Sequence, residues 1–312
     1  MKCYEASPLY GMNNPVIEIR NLSKNYNGFE AVRGLDFTVN KGDVFGFLGP
    51  NGAGKSTTIR MMTTLIKPSG GEIRFFGKNL YEHPEKVLGR IGAIVEKPDL
   101  YNFLSAYDNL KMLSRISGKP ASDEKINETL TLVGLQERAK SKVKTFSQGM
   151  KQRLGIAQAL IHDPELIILD EPANGLDPQG MVEIRNLILK LSREYNKTIL
   201  LSSHILNEVE LIANRMVIIN KGKAVIEGDV RELLDTGDMK VTVEITHPDK
   251  AKTVINNSSF QNHLSSVENG KLIFRMPKEE VPALNRYLIE HGIEVKSLVP
   301  VRSLEDLFLS LT

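Results

Sequence analysis

The residues Gly49-Pro50-Asn51-Gly52-Ala53-Gly54-Lys55-Ser56 fit the pattern G-x-x-x-x-G-K-S/T. Glycines at these spacings let the backbone curl so that successive N–H groups converge on phosphate oxygens, and the helix that follows adds the positive end of its dipole. Lys55 would neutralise phosphate charge, the Ser56 hydroxyl would ligate Mg²⁺, and Thr57 is expected to bind the nucleotide with residues 49–56. Such a loop needs a further carboxylate for the metal, at the end of a neighbouring strand. The apolar run Leu166–Leu169 ends in Asp170, placed to hold the ion directly or through water. Glu171 follows, where it can take a proton from a water attacking the γ-phosphate.

A second anion-binding turn, Ser147-Gln148-Gly149, opens the pattern "MKQRLGIAQAL". One phosphate loop already serves one nucleotide. A second turn becomes useful if it faces the nucleotide of another subunit, with Ser147 as N-cap and the Gly149 amide reaching the γ-phosphate along the helix dipole.

These residues require strand, loop and helix in alternation, and the chain supplies them. "VIEIRNL" and "GLDFTVNKGDVFGFLG" alternate as strands, and "GPNGAGKSTTIRMMTTLI" turns from glycines into a helical face carrying Ile59, Met62 and Ile66. "LSAYDNLKMLSRISG" and "DEKINETLTLVGL" read as helices, and "ELIILD", "KTILLSS" and "RMVIIN" as short buried strands. Strands alternating with helices predict an α/β fold with a mainly parallel sheet. Near residue 237 the texture changes to strand, helix, strand, helix, strand and a closing helix, "SLEDLFLSL". The expected domains are a disordered tail over 1–15, a nucleotide-binding domain over 16–237 and a small α+β domain over 238–312. In the last, His247, His263 and His291 show no ligand spacing. Met12 is expected as an alternative start.

With Lys+Arg 40 against Asp+Glu 38, the net charge of +2 points away from a polyanionic partner, so no nucleic acid is expected. The single cysteine, Cys3, cannot form an internal disulfide and fits a reducing compartment. No window approaches the roughly 18 apolar residues of a membrane helix, and the N-terminus lacks an apolar signal core.

Taken together, the phosphate loop, "FSQGM", "LIILDE", "NGLD" and "SSH", in this order across residues 16 to 235, resemble the nucleotide-binding subunit of an ABC transporter. The resemblance implies a P-loop NTPase fold of ABC type, with an antiparallel β part and a helical subdomain beside the parallel sheet. It implies ATP and Mg²⁺ as cofactors, with ATP hydrolysed by a homodimer sandwiching two nucleotides. It also implies separate transmembrane permease subunits, and a cytoplasmic location at the inner face of the membrane. By the same resemblance Tyr26 would stack on adenine, Asp177 would organise the dimer interface, and His204 would contact the γ-phosphate and position Glu171 and the water.

Two departures stand out. Phe146, Gln148 and Met150 replace three members of the usual Leu-Ser-Gly-Gly-Gln signature, leaving Ser147 and Gly149 for the phosphate. Glu96 stands where the family commonly has glutamine, as a metal ligand, and this is similar to the bacitracin and lantibiotic exporters. A different reading, a soluble ABC-type ATPase acting on DNA or ribosomes, would call for an inserted coiled coil or a second cassette, and neither is present. A regulator that does not turn over would lack Glu171 or His204.

Overall fold

The computed structural model describes residues 15–235, 238–268, 270–301, 304 and 308. The proposed tail and the alternative start at Met12 lie outside these, except Pro15, which opens the first strand. The chain divides into two compact units between Asp229 and Val230, upstream of the change in texture at residue 237.

The first unit contains two sheets. β1 (Pro15–Tyr26), β2 (Phe29–Asn40), β4 (Gly70–Phe75) and β5 (Lys78–Asn79) form an antiparallel sheet in the order β2-β1-β4-β5. β3 (Val44–Leu48), β6 (Ile91–Ile94), β7 (Leu166–Leu169), β8 (Thr198–Ser203), β9 (Arg215–Asn220) and β10 (Lys223–Asp229) form the second, in the order β10-β9-β3-β8-β7-β6. All of its pairings are parallel except that of β10 with β9. β3, β7 and β8 are buried along their whole length, which is why they read as continuous apolar runs instead of alternating.

Helix α1 (Lys55–Met62) follows β3, and the short α2 (Pro84–Leu88) precedes β6. The helices α3 (Ala106–Ile116), α4 (Asp123–Leu132) and α5 (Gln148–Leu160) pack on one another as a helical subdomain. α6 (Pro178–Tyr195) and α7 (Leu206–Glu210) flank β8 in sequence. One core joins the sheets: Phe37 of β2 lies 5.7 Å from Phe45 and 5.2 Å from Phe47 of β3, ring to ring, and Ile59, Met61 and Met62 of α1 are buried with them.

α1 is shorter than the spacing of Ile59, Met62 and Ile66 predicts. It stops at Met62, Thr64 takes a left-handed φ of +60°, and Ile66 packs on the core from outside the helix. The hydroxyl of Tyr81 lies 2.9 Å from the carbonyls of both Met61 and Ile66, so it serves backbone groups freed by the early end.

The second unit begins with α8 (Val230–Asp235) and continues as β11 (Met239–Ile245), α9 (Pro248–Asn256), β12 (Leu264–Glu268), β13 (Lys271–Met276), α10 (Val281–Glu290) and β14 (Val295–Val301). Its antiparallel sheet has the order β12-β13-β11-β14, a split βαβ arrangement. Val241, Val243, Phe274, Leu284 and Leu288 close its own core. The predicted closing helix lies mostly outside the described residues; Leu304 and Phe308 are helical.

Candidate functional site

The loop after β3 turns on a hydrogen bond from the Ala53 amide to the Pro50 carbonyl, 3.1 Å. Gly54 caps α1 at φ +107°, and a Cβ there would sit 2.6 Å from the Ala31 carbonyl oxygen, so only glycine fits. The helix therefore starts directly at Lys55. Lys55 is buried, and its Nζ donates to the carbonyls of Gly49 (2.7 Å) and Pro50 (3.3 Å) while lying 3.4 Å from Glu171 Oε1. A buried ammonium needs such partners.

Asp170 and Glu171 leave the end of β7. Against the expectation of a neighbouring strand, β7 is not directly beside β3; β8 runs between them. The intervening strand is what organises the carboxylates. Ser202 of β8 donates its Oγ proton to Asp170 Oδ1 at 2.6 Å and accepts the Glu171 amide at 2.9 Å. Asp170 is thereby fixed at 2 % exposure. Glu171 has a left-handed φ of +50°, a conformation that non-glycine residues adopt at a cost. Its Oε2 lies 2.7 Å from Nδ1 of His204, just beyond β8. Glu171 is thus held between Lys55 and His204.

A cleft of about 580 Å³ gathers these groups. Asn51, Gly52, Gly54, Lys55, Ser56 and Thr57 line it, with Glu96, Asp170, Glu171 and His204. Gly49, Pro50 and Ala53 build the turn behind it. Glu96, also left-handed at φ +65°, reaches Arg60 of α1 as an ion pair. Its loop continues to an exposed aromatic pair, Tyr101 and Phe103, with ring centroids 5.9 Å apart.

The donor set suits Mg²⁺. Asp170 keeps an oxygen beyond the one Ser202 engages, and Ser56 and Glu96 supply further hard oxygen donors. Among the described residues no cluster of three or more His, Cys, Asp or Glu could hold a metal by itself. Phosphate and water oxygens would complete the shell, as is usual for this ion.

Other predicted residues stand outside this cleft. Tyr26 does not line it; the Lys24 ammonium lies 4.9 Å from the centre of its ring. Its cross-strand partner in the tight hairpin, Phe29, does line the cleft and is 64 % exposed. Ser147 is the N-cap of α5, accepting the Met150 amide at 3.3 Å, and Asp177 caps α6 through Gly180 at 2.9 Å. Neither these caps nor Gly149 reaches the cleft of its own chain, whereas Gln148 and Gln152 of α5 do. Phe29, Ser202 and Gln152 were not singled out in the sequence. Phe29 follows Asn27-Gly28, a strong two-residue hairpin signal, and Ser202 belongs to "SSH", so both had a readable cue.

Comparison with known proteins identifies the family. The family model described as ABC transporter matches residues 32–174. The chain is 46 % identical over 299 residues to the uncharacterized ABC transporter ATP-binding protein YhcH of Bacillus subtilis, covering 95 % of this chain and 96 % of YhcH. It is 42 % identical over 298 residues to the bacitracin transport ATP-binding protein BcrA of Bacillus licheniformis, covering 95 % and 97 %. Among solved structures it is similar to CbiO1 of Clostridium perfringens, part of the ABC transporter complex CbiONQ (TM-score 0.65, 28 % identity, 72 % of this chain and 92 % of that one). It is similar also to a dimeric ATP-binding cassette in a post-hydrolysis state with ADP and phosphate (TM-score 0.62, 25 % identity, 69 % and 99 %). With its phosphate loop, its paired carboxylates and its full-length relatives, the chain belongs to the ABC transporter ATP-binding proteins and is an ATP-hydrolysing subunit of such a transporter.

Proposed function

We propose that two copies of this chain close on two MgATP and drive separate membrane-spanning permease subunits at the inner face of the membrane, exporting a peptide antibiotic, drug or lipid-like cargo. The observation that carries the export reading is the match to the bacitracin transport protein over 95 % of the chain, the second unit included. The lantibiotic transport protein SrtF of Streptococcus pyogenes is 44 % identical over 212 residues, 68 % of this chain. Among the described residues no helix is long and apolar enough to cross a membrane, so passage needs a partner. Tyr101 and Phe103 offer that partner an exposed aromatic contact beside Glu96.

Each catalytic part has a role in this reading. Lys55 exchanges the Glu171 oxygen for phosphate oxygens, and the loop amides hold the β- and γ-phosphates. Bound Mg²⁺ would supply charge neutralisation on the phosphates, held by Ser56, Asp170 and Glu96. Glu171, once free of Lys55, accepts the proton of the attacking water, while His204 fixes its orientation from Nδ1. Ser147 and Gly149 complete the site of the opposite subunit, and Asp177 lies at that interface. The adenine stacks on the β1–β2 hairpin through Tyr26 or its cross-strand neighbour.

Purification of the tagged chain from detergent-extracted membranes, with mass spectrometry of what accompanies it, is the direct test. A polytopic membrane protein that raises ATP turnover is the expected result. Recovery of ribosomal proteins or DNA alone would overturn the transporter assignment.

A further inference from the structure

Gln152 is more than nine-tenths buried, lines the nucleotide cleft, and has no hydrogen-bond partner for its side-chain Nε2. A buried amide donor left unpaired is costly, and where it is retained it points to an acceptor that arrives in another state. The packing of α5 directs attention to the loop that carries Glu96. α5 lies directly on β6 and the loop after it: a Cβ on Gly92 would strike the Ala159 backbone, and one on Gly155 would come 2.6 Å from Pro98 Cβ. These contacts run in opposite senses, Ala159 against Gly92 and Gly155 against Pro98. Gln152, nearly one turn before Gly155 on the same helix face, lines the same cleft as Glu96 and Lys97, two neighbours of Pro98 in the loop that Gly155 seats.

Glu96 is a carboxylate, which only accepts, while the orphaned Nε2 only donates. Its present partner is Arg60, in a pair whose members are 41 % and 54 % exposed; an ion pair so open to solvent is weakly held.

We propose that Gln152 is a positioning residue for Glu96: its amide takes the carboxylate from Arg60 and holds it toward the Mg²⁺ and γ-phosphate side of the cleft. The charge-assisted bond formed in the drier site replaces an exposed one. Since α5 also carries Ser147 and Gly149, the same contact ties the helix that faces the other subunit to the chain's own loop 96–98. The inference rests on the reading of Glu96 as a working ligand, and the test separates the two.

Full-length Gln152→Leu, Glu96→Ala, their double variant, Gln152→Glu and Gln152→Glu/Glu96→Gln would be compared with the parent. Hydrogen exchange of residues 95–99 would be followed with ATP in EDTA and with MgATP, together with ATP affinity in EDTA, kcat and the half-saturating Mg²⁺ concentration. Gln152→Leu is expected to lower kcat about tenfold, the loss of one hydrogen bond to a charged group. It should also raise the Mg²⁺ requirement and abolish the MgATP-dependent protection of loop 95–99, with ATP affinity in EDTA within about twofold of the parent. The double variant should be no worse than Glu96→Ala. The exchanged pair, with the carboxylate at 152 and the amide at 96, should recover activity that Gln152→Glu alone has lost, which distinguishes the contact from a packing defect. If Glu96→Ala matches the parent, the ligand reading of Glu96 fails and this inference with it. If Glu96→Ala is impaired while Gln152→Leu matches the parent, or the two losses multiply and the exchanged pair shows no recovery, Gln152 does not act through Glu96.

Discussion

At the scale of the residue, the proposed adenine platform is where neighbouring side chains compete. Tyr26 and Phe29 face each other across the hairpin closed by Asn27 and Gly28, both with positive φ. Only Phe29 lines the cleft, while Lys24 lies over the Tyr26 ring. A base stacked on an aromatic ring is worth about 1–3 kcal/mol. Phe29→Ala should weaken ATP binding by roughly tenfold, and Tyr26→Ala by no more than about threefold, as read by equilibrium titration with a fluorescent ATP analogue. The reverse order would return the platform to Tyr26. The hairpin turn was legible in the sequence because Asn-Gly is the residue pair that a two-residue turn demands. Which of its two flanking rings meets the cleft depends on how the hairpin sits on the loop after β3, and no local pattern records that.

At the scale of the element, α5 and β6 are joined at both ends. Beyond the glycine contacts of the helix, His162 just after α5 donates Nε2–H to the Ile91 carbonyl at 3.0 Å. Burial pushes the His162 pKa below its ordinary value of 6.5; Lys119 and Lys197 push the same way, and the bond to Ile91 and Asp163 oppose them. Between 6.5 and the depressed value the unfolded chain binds this proton and the folded chain does not. Stability is therefore lost as pH falls through that window. His162→Asn, which can still donate to Ile91, should flatten the fall in melting temperature below about pH 6.5. Parallel melting curves for parent and variant from pH 7 down to pH 5 would show instead that this histidine does not carry the acid sensitivity. The helix itself was readable from its N-cap Ser147, but its seat on Gly92 was not. A glycine inside a strand signals a close approach without naming what approaches.

At the scale of the whole molecule, the caps Ser147 and Asp177 stand at the heads of α5 and α6, outside the cleft of their own chain. A dimeric relative has been solved with hydrolysis products bound. If each cleft is completed by the opposite copy, blocking hydrolysis should hold two copies together. Glu171→Gln keeps the shape and removes the proposed base, so turnover should fall by about 10²-fold or more. Sedimentation in MgATP should then show a dimer that the ADP-bound parent does not form. A monomer under those conditions, with the permease also present, would exclude the sandwich.

The linear chain by itself determined which residues the proposed phosphate end would use. The loop Gly49–Ser56 and the strand ending in Asp170 and Glu171 are local patterns, whose meaning depends only on φ freedom, helix polarity and the burial of a short apolar run. Tertiary structure decided everything that requires distant segments to meet. It placed β8 between the two strands, so that Ser202 became the bridge that fixes both carboxylates. It ended α1 at Met62, where the Tyr81 hydroxyl receives the chain. It also turned Gln152, an unremarked polar residue in a helix, into a buried, unpaired donor lining the same cleft as Glu96. A motif lies along the backbone and can be read there, whereas a hydrogen-bond partner is set by strand order and by packing across dozens of residues.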